Sequence, residues 1–234
     1  MDDGLIEGQR AYYRARAGEY DEWFLRKGRY DRGPEENRRW FSELEQVRRE
    51  LDRFGPTGEV LELACGTGLW TVELARKAAG ITAVDASPEV LEINRARLQE
   101  AGPGIPIRYV QADLFDWRPE KAYEVVFFGF WLSHVPPGRF AAFWELVRSA
   151  MRPGGRAFFV DSLRAETWAE KQRLGRDPRG HTTLRRLNDG REFRIVKVFY
   201  EPSGLEARLA DMGWSFSVRS TENSLLYGFG ERRA

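Results

Sequence analysis

The chain has 234 residues, 42% hydrophobic and 31% charged, which suits one packed α/β domain and rules out wholesale disorder. Its 37 basic residues against 36 acidic leave a net charge of +1, which makes no electrostatic case for nucleic-acid binding. No apolar run reaches the roughly 20 residues of a membrane span, one cysteine excludes an intrachain disulfide, and two histidines with that cysteine form no zinc-type cluster.

The first residues, MDDGLIEGQR, carry no signal-peptide pattern, and the expected location is the cytoplasm. Residues 6–26 and 35–54 read as helices, making 1–55 a helical cap. In the second, Pro34 precedes a Glu-rich first turn, and Trp40, Phe41, Leu44, Val47, Leu51 and Phe54 recur at helical spacing. The turn Gly55–Gly58 then opens a core over 56–162. Short apolar runs at Val60–Ala64, Ile81–Val84, Ile107–Val110, Val125–Phe128 and Ala157–Val160 alternate with helical patterns near 69–79, 88–101 and 138–151. That alternation predicts a parallel sheet with helices on both faces.

After residue 162 the rhythm breaks. Thr182–Leu187 and Glu192–Tyr200 flank Asn188-Asp189-Gly190, a strong hairpin-turn signal, so 163–200 reads as an insertion carried by the main sheet. A helix over 202–212, ended by Gly213, and strands at 214–220 and 224–229 close the chain over 201–234 as an antiparallel pair. The whole is expected to be a single domain.

The chemistry gathers at the strand ends. Gly66-Thr67-Gly68 follows the first apolar run directly, a turn that lets a ligand approach the backbone and meet a helix N-terminus. Asp85 ends the second strand 17 residues later, where an acid can accept both ribose hydroxyls of an adenosine-containing cofactor. A dinucleotide fingerprint would need glycine at position 71, which is Thr71, and Glu62 just ahead of the loop would repel a pyrophosphate. A cofactor with a cationic end would welcome Glu62. Asp113, after the third strand, can accept from an adenine amino group.

These segments resemble the class I S-adenosylmethionine-dependent methyltransferases. The likeness runs through ELACGTG, AVDAS, QADLFD, YEVVFFGF and MRPGGRAFFVD in order, over residues 58–162. It implies a Rossmann-like, seven-stranded, mostly parallel sheet whose last strand is antiparallel, with the helical cap and inserted β-hairpin as variable additions. The resemblance also implies a cofactor, S-adenosylmethionine, and places its contacts. Glu62 and the loop backbone of Ala64, Gly66, Thr67 and Gly68 fall near the methionine moiety, and Asp85 on the ribose. Ala86, Asp113 and Leu114 fall near adenine, and the Phe130 backbone at the methionine end. In such enzymes a Tyr-Asp pair on the first helix closes over the cofactor, which makes Tyr20 a contact with Tyr12 behind it. The same helix also reads as an amphipathic element packed on the sheet edge.

The acceptor would sit beyond the fourth strand, at Gly129–Pro136. His134 there is the candidate general base, or alternatively a packed histidine bonded to backbone. His181 reads as a loop residue. Arg185, Arg186, Arg191 and Arg194 crowd the hairpin, either to hold an anionic acceptor or as its solvated face. The expected activity is methyl transfer to an oxygen or nitrogen of a small molecule, with no metal and no domain for nucleic-acid or protein substrates. A cofactor-binding protein without transferase activity and a nicotinamide-dependent oxidoreductase are the competing readings.

Overall fold

A computed structural model describes residues 3–102, 104–163 and 181–233. A seven-stranded sheet forms the frame: β1 (Gly58–Leu63), β2 (Ala78–Asp85), β3 (Ile107–Gln111), β4 (Tyr123–Gly129), β5 (Met151–Ser162), β8 (Trp214–Ser220) and β9 (Leu225–Arg232). Their order across the sheet is β3-β2-β1-β4-β5-β9-β8. The first five are parallel, and β9 runs antiparallel to both β5 and β8. Strand order therefore reverses between β1 and β4, the place where open α/β sheets leave a crevice at the carboxyl ends of their strands.

The helices are α1 (Asp3–Ala15), α2 (Tyr20–Phe24), α3 (Pro34–Phe54), α4 (Thr71–Ala75), α5 (Pro88–Ala101), α6 (Phe140–Ala150) and α7 (Pro202–Asp211). α3 starts on Pro34 with Glu35 and Glu36 in its first turn, and Gly55, in the left-handed region, ends it. Its Trp40, Leu44, Val47 and Leu51 join β1, β2 and α4 in one core layer. On the other sheet face, Phe143, Trp144 and Val147 of α6 meet Leu205 and Leu209 of α7 and Trp214 of β8. α5 is capped by Ser87, whose Oγ accepts from Val90 N at 3.5 Å, and by Gly102 at its other end.

Two expectations change. The helix expected over 6–26 is broken into α1, a 3₁₀ turn at Ala17–Glu19 and α2, because Gly18 interrupts it and Arg16 turns inward to become buried. The helix expected at 69–79 shrinks to α4, since Ala78 already pairs with Gly58 in the sheet. The inserted hairpin forms as expected, β6 (Thr182–Arg186) with β7 (Glu192–Val196), in its own two-stranded sheet. It packs on α1 through Tyr12, Leu187 and Ile195, and Gln9 of α1 accepts Val196 N at 3.0 Å. The 164–180 part of the expected insertion lies outside the described residues.

Candidate functional site

The chain leaves β1 through Ala64, at a φ of +53°. The next residues are pinned to the end of β2: Cys65 N donates to Val84 O at 3.0 Å, and Gly66 N to Asp85 Oδ2 at 3.0 Å. Gly68 has a φ of +89°, and a Cβ there would stand 2.7 Å from the Asn94 side chain of α5. The second glycine therefore serves helix packing. Asn94 Nδ2 donates to Gly66 O at 3.2 Å and to Thr71 Oγ1 at 2.9 Å, so the residue in place of a third glycine is a buried anchor.

Beyond the ends of β1, β2 and β4 opens a cleft of about 940 Å³. Ala64, Gly66, Asp85, Ala86, Asp113 and Leu114 line it, with Tyr20, Phe130 and His134 on its far side. Asp85 accepts Ser87 N at 3.0 Å on Oδ1, beside its bond from Gly66, and burial raises its pKa against those backbone donors. Asp113 Oδ1 accepts Phe115 N at 2.9 Å, while its other oxygen pairs with Arg10 of α1. That ion pair fastens the N-terminal helix across this end of the cleft.

A smaller hollow under the loop is shared by Glu62, Thr67, Ala64, Gly66, Tyr20 and Phe130. Glu62 is 1% exposed, and its Oε2 has no hydrogen-bond partner among the described residues. Burial pushes its carboxyl up to about 8, with the Thr71 hydroxyl opposing. A buried acid left open is costly until a cation meets it. The ammonium of a methionine moiety fits that demand. α2 covers the same hollow: Asp21 Oδ1 accepts the Thr67 hydroxyl at 2.6 Å and its other oxygen pairs with Arg97, which also bonds Thr67 O.

His134 stands in a 3₁₀ turn after β4 and is 6% exposed. Its Nδ1 lies 2.8 Å from Val196 O, which only accepts, so the bond pattern assigns the proton to Nδ1. Nε2 then accepts from the Tyr13 hydroxyl at 2.7 Å. Burial, then the nearby Lys197 charge, holds the imidazole well below its usual 6.5. The ring is neutral and both nitrogens are engaged.

Behind the wall of Tyr13, Tyr20, Phe130 and His134 lies a second cavity of about 870 Å³. Tyr12 lines this cavity and not the cleft. Of the four hairpin arginines Arg185 turns into it, whereas Arg186, Arg191 and Arg194 are exposed, as is His181. Tyr13, Arg16, Arg26 and Lys197 also line this cavity, and the sequence reading did not single them out. The trace of Lys197 was a charge inside the apolar run Ile195-Val196-Lys197-Val198-Phe199. Among the described residues the non-glycine positions of positive φ, Arg26, Ala64 and Phe130, all border these cavities, and strained backbone commonly gathers at ligand sites. Among the described residues no cluster of potential metal ligands occurs, and no helix is long and apolar enough to cross a membrane.

A family model described as a methyltransferase domain matches residues 60–155. The ubiquinone biosynthesis O-methyltransferase of Proteus mirabilis (strain HI4320) is 35% identical over 106 residues, 43% of this chain and 40% of the relative. The carboxy-S-adenosyl-L-methionine synthase of Aeromonas hydrophila is 32% identical over 115 residues, 47% and 46% of the two chains. The match to these curated relatives thus spans less than half of their length. A solved structure described as the DhpI-SAM-HEP complex is 42% identical, covers 97% of this chain and 98% of its own, and superposes with a TM-score of 0.77. With that likeness over nearly its whole length, and with the loop and acids in these positions, the chain belongs to the class I S-adenosylmethionine-dependent methyltransferases.

Proposed function

We propose that the protein transfers a methyl group from S-adenosylmethionine to an oxygen or nitrogen of a small molecule seated in the second cavity. The observation that carries this reading is the shared wall: Tyr13, Tyr20, Phe130 and His134 border both the cofactor cleft and the cavity behind it. The names of the curated O-methyltransferase relatives support oxygen as the acceptor atom. S-adenosylmethionine, when bound, supplies a methyl group already activated by its sulfonium. Glu62 holds the cofactor's ammonium, Asp85 its ribose hydroxyls, and the Asp113–Arg10 pair faces the adenine edge. The strap from Tyr20 to Asp21 closes over the loop and keeps water out.

His134 does not take the acceptor's proton in this reading. Its Nε2 is committed to Tyr13, and cations on the cavity side disfavour an imidazolium. Catalysis then rests on holding acceptor and methyl in line, with the acceptor arriving ionised or as a neutral amine. Titration with S-adenosylmethionine, S-adenosylhomocysteine and NAD tests the cofactor: the first two are expected to bind, and comparable NAD binding would overturn the reading. Cofactor binding without turnover of any oxygen or nitrogen acceptor would favour a non-catalytic binding protein. Turnover against pH tests the mechanism. The expected profile lacks a limb near 6.5, and His134→Ala loses less than the roughly 100- to 10,000-fold of a positioned base. A limb there that His134→Ala abolishes would restore the base.

A further inference from the structure

The smaller hollow under the glycine loop, about 300 Å³, is lined by two residues with buried polar atoms of opposite kind. Glu62 Oε2 is the acceptor. Trp70 Nε1 is the donor: the side chain is 5% exposed, and its indole N–H has no hydrogen-bond partner among the described residues. The two residues line one hollow, yet these atoms do not bond to each other. Buried indole N–H groups ordinarily find a partner, because leaving one unmade costs free energy.

The indole is held so that this edge stays uncovered. Trp70 stands at the start of α4, with its ring centroid 5.7 Å from that of Phe127 in β4 and 6.2 Å from that of Phe24 in α2. Its Cδ1–Nε1 edge faces Gly129, the last residue of β4, where a Cβ would stand 2.9 Å from Cδ1 and 3.1 Å from Nε1. Gly129 is not in the left-handed region, so its backbone does not call for glycine. A side chain there would instead crowd the indole edge and cover the N–H. Trp131, Trp144 and Trp214 also carry indole N–H groups without a partner. Those three pack in the α6 layer on the other face of the sheet, and none of them lines this hollow. Of the four, only Trp70 faces an unpartnered acid across a hollow.

Ala64, Gly66, Gly129 and Phe130 line both this hollow and the cofactor cleft, so a ligand in the cleft can extend into it. The amino-acid end of S-adenosylmethionine carries an ammonium and a carboxylate on one carbon, and Glu62 can take only the ammonium. Among the described residues no lysine or arginine lines the hollow. Arg97, close by, is engaged by Asp21 and Thr67 O, and the Thr67 hydroxyl donates to Asp21. A cation inside the hollow would compete for Glu62. A neutral donor serves a carboxylate and leaves the acid to the ammonium.

We propose that Trp70 Nε1 donates to the carboxylate of the cofactor's methionine moiety, so that Glu62 and Trp70 divide its zwitterion between them. Trp70 then fixes the tail of the cofactor and, through it, the place of the sulfonium beyond β4. The inference rests on S-adenosylmethionine as the cofactor and on nothing about the acceptor.

The test titrates the intact protein with S-adenosylhomocysteine and with its decarboxylated analogue, which keeps the ammonium and lacks the carboxylate. Trp70→Phe leaves an aromatic ring in place and removes the donor. It should weaken S-adenosylhomocysteine binding about tenfold, the loss of one hydrogen bond to a charged group, and alter affinity for the analogue less than about twofold. Any loosening of the loop by the smaller ring falls on both ligands and cancels in the ratio. A second measurement needs no variant: by NMR of the wild-type protein, the Trp70 indole proton should move downfield with S-adenosylhomocysteine and stay in place with the analogue. Equal losses for both ligands, no loss for either, or an indole proton that responds alike to both overturns the proposal. So does a selective loss in Tyr20→Phe with none in Trp70→Phe, since the Tyr20 ring also lines the hollow. Absence of S-adenosylhomocysteine binding to the wild type overturns the cofactor assignment and this inference with it, whereas tight binding with an unaltered preference overturns this inference alone.

Discussion

The Asp85 carboxylate already holds Gly66 N and Ser87 N, and the proposed ribose contact would share those oxygens. Asp85→Ala is expected to weaken S-adenosylmethionine binding by about 1.5–3 kcal/mol, roughly 10- to 150-fold by titration calorimetry. An unchanged affinity in a folded variant would remove the acid from the ribose. Glu62 sets a pH dependence. Its carboxyl is raised from 4.5 to about 8 in the fold, so the folded state holds that proton more tightly than the unfolded chain. The stability linked to it is full below about 4.5 and is lost as pH rises towards 8. Glu62→Gln should therefore raise the melting temperature at pH 8–9 while weakening the cofactor, the trade expected of a strained binding residue. Wild-type affinity for S-adenosylhomocysteine should climb with pH up to about 8, with a proton released on binding. A flat profile would show that the ammonium does not meet Glu62. That Glu62, Asp85 and Asp113 gather near the strand ends was legible in the sequence, because apolar runs mark the strands. Tyr13 was not, since its partner His134 lies 121 residues away. Arg16 reads as one more charge on an amphipathic helix until the tyrosines close around it.

At the scale of elements, the segment from α1 to α2 is the least regular part and the one that covers the cofactor cleft. Its hold on the glycine loop is Asp21, bonded to Thr67 and Arg97. Asp21→Ala should speed S-adenosylhomocysteine dissociation ~10-fold, the equivalent of one charge-assisted hydrogen bond. Amide exchange should quicken at residues 17–24 and not in α3. Equal exchange in both proteins would mean that packing of Trp23 and Phe24 alone holds the strap. The periodicity of α3, α5 and α6 was readable because each buries one stripe between clear end signals. The break at residues 15–20 was not, because the apolar spacing continues through it and tertiary burial of Arg16 decides the turn. The hairpin turn at Asn188-Asp189-Gly190 was equally plain, but nothing local says that its strands pack on α1 instead of joining the main sheet.

For the whole molecule, the alternation of apolar runs and helical patterns was enough to imply a parallel sheet, while the order of its strands rested on family resemblance. Register and the packing of aromatic rings come from contacts far apart in the chain. Trp144 is fully buried, with ring centroids 5.2 Å from those of Trp214 and Phe216, joining α6 to β8. Trp144→Ala should destabilise the fold by about 3–5 kcal/mol, a fall of roughly 6–20 °C in melting temperature by calorimetry. Trp144→Phe should cost far less, because the indole N–H has no hydrogen-bond partner to lose. A small effect of the alanine variant would show that the α6 layer can collapse onto the gap. The sheet order has a consequence for synthesis. β5 is flanked by β4, made before it, and by β9, made some sixty residues later. As the chain emerges, the apolar edge Ala157–Val160 of β5 stays unpaired until residues 225–232 are made, a template for wrong pairing on a crowded ribosome. A chaperone that shields exposed strands would have its main client segment there.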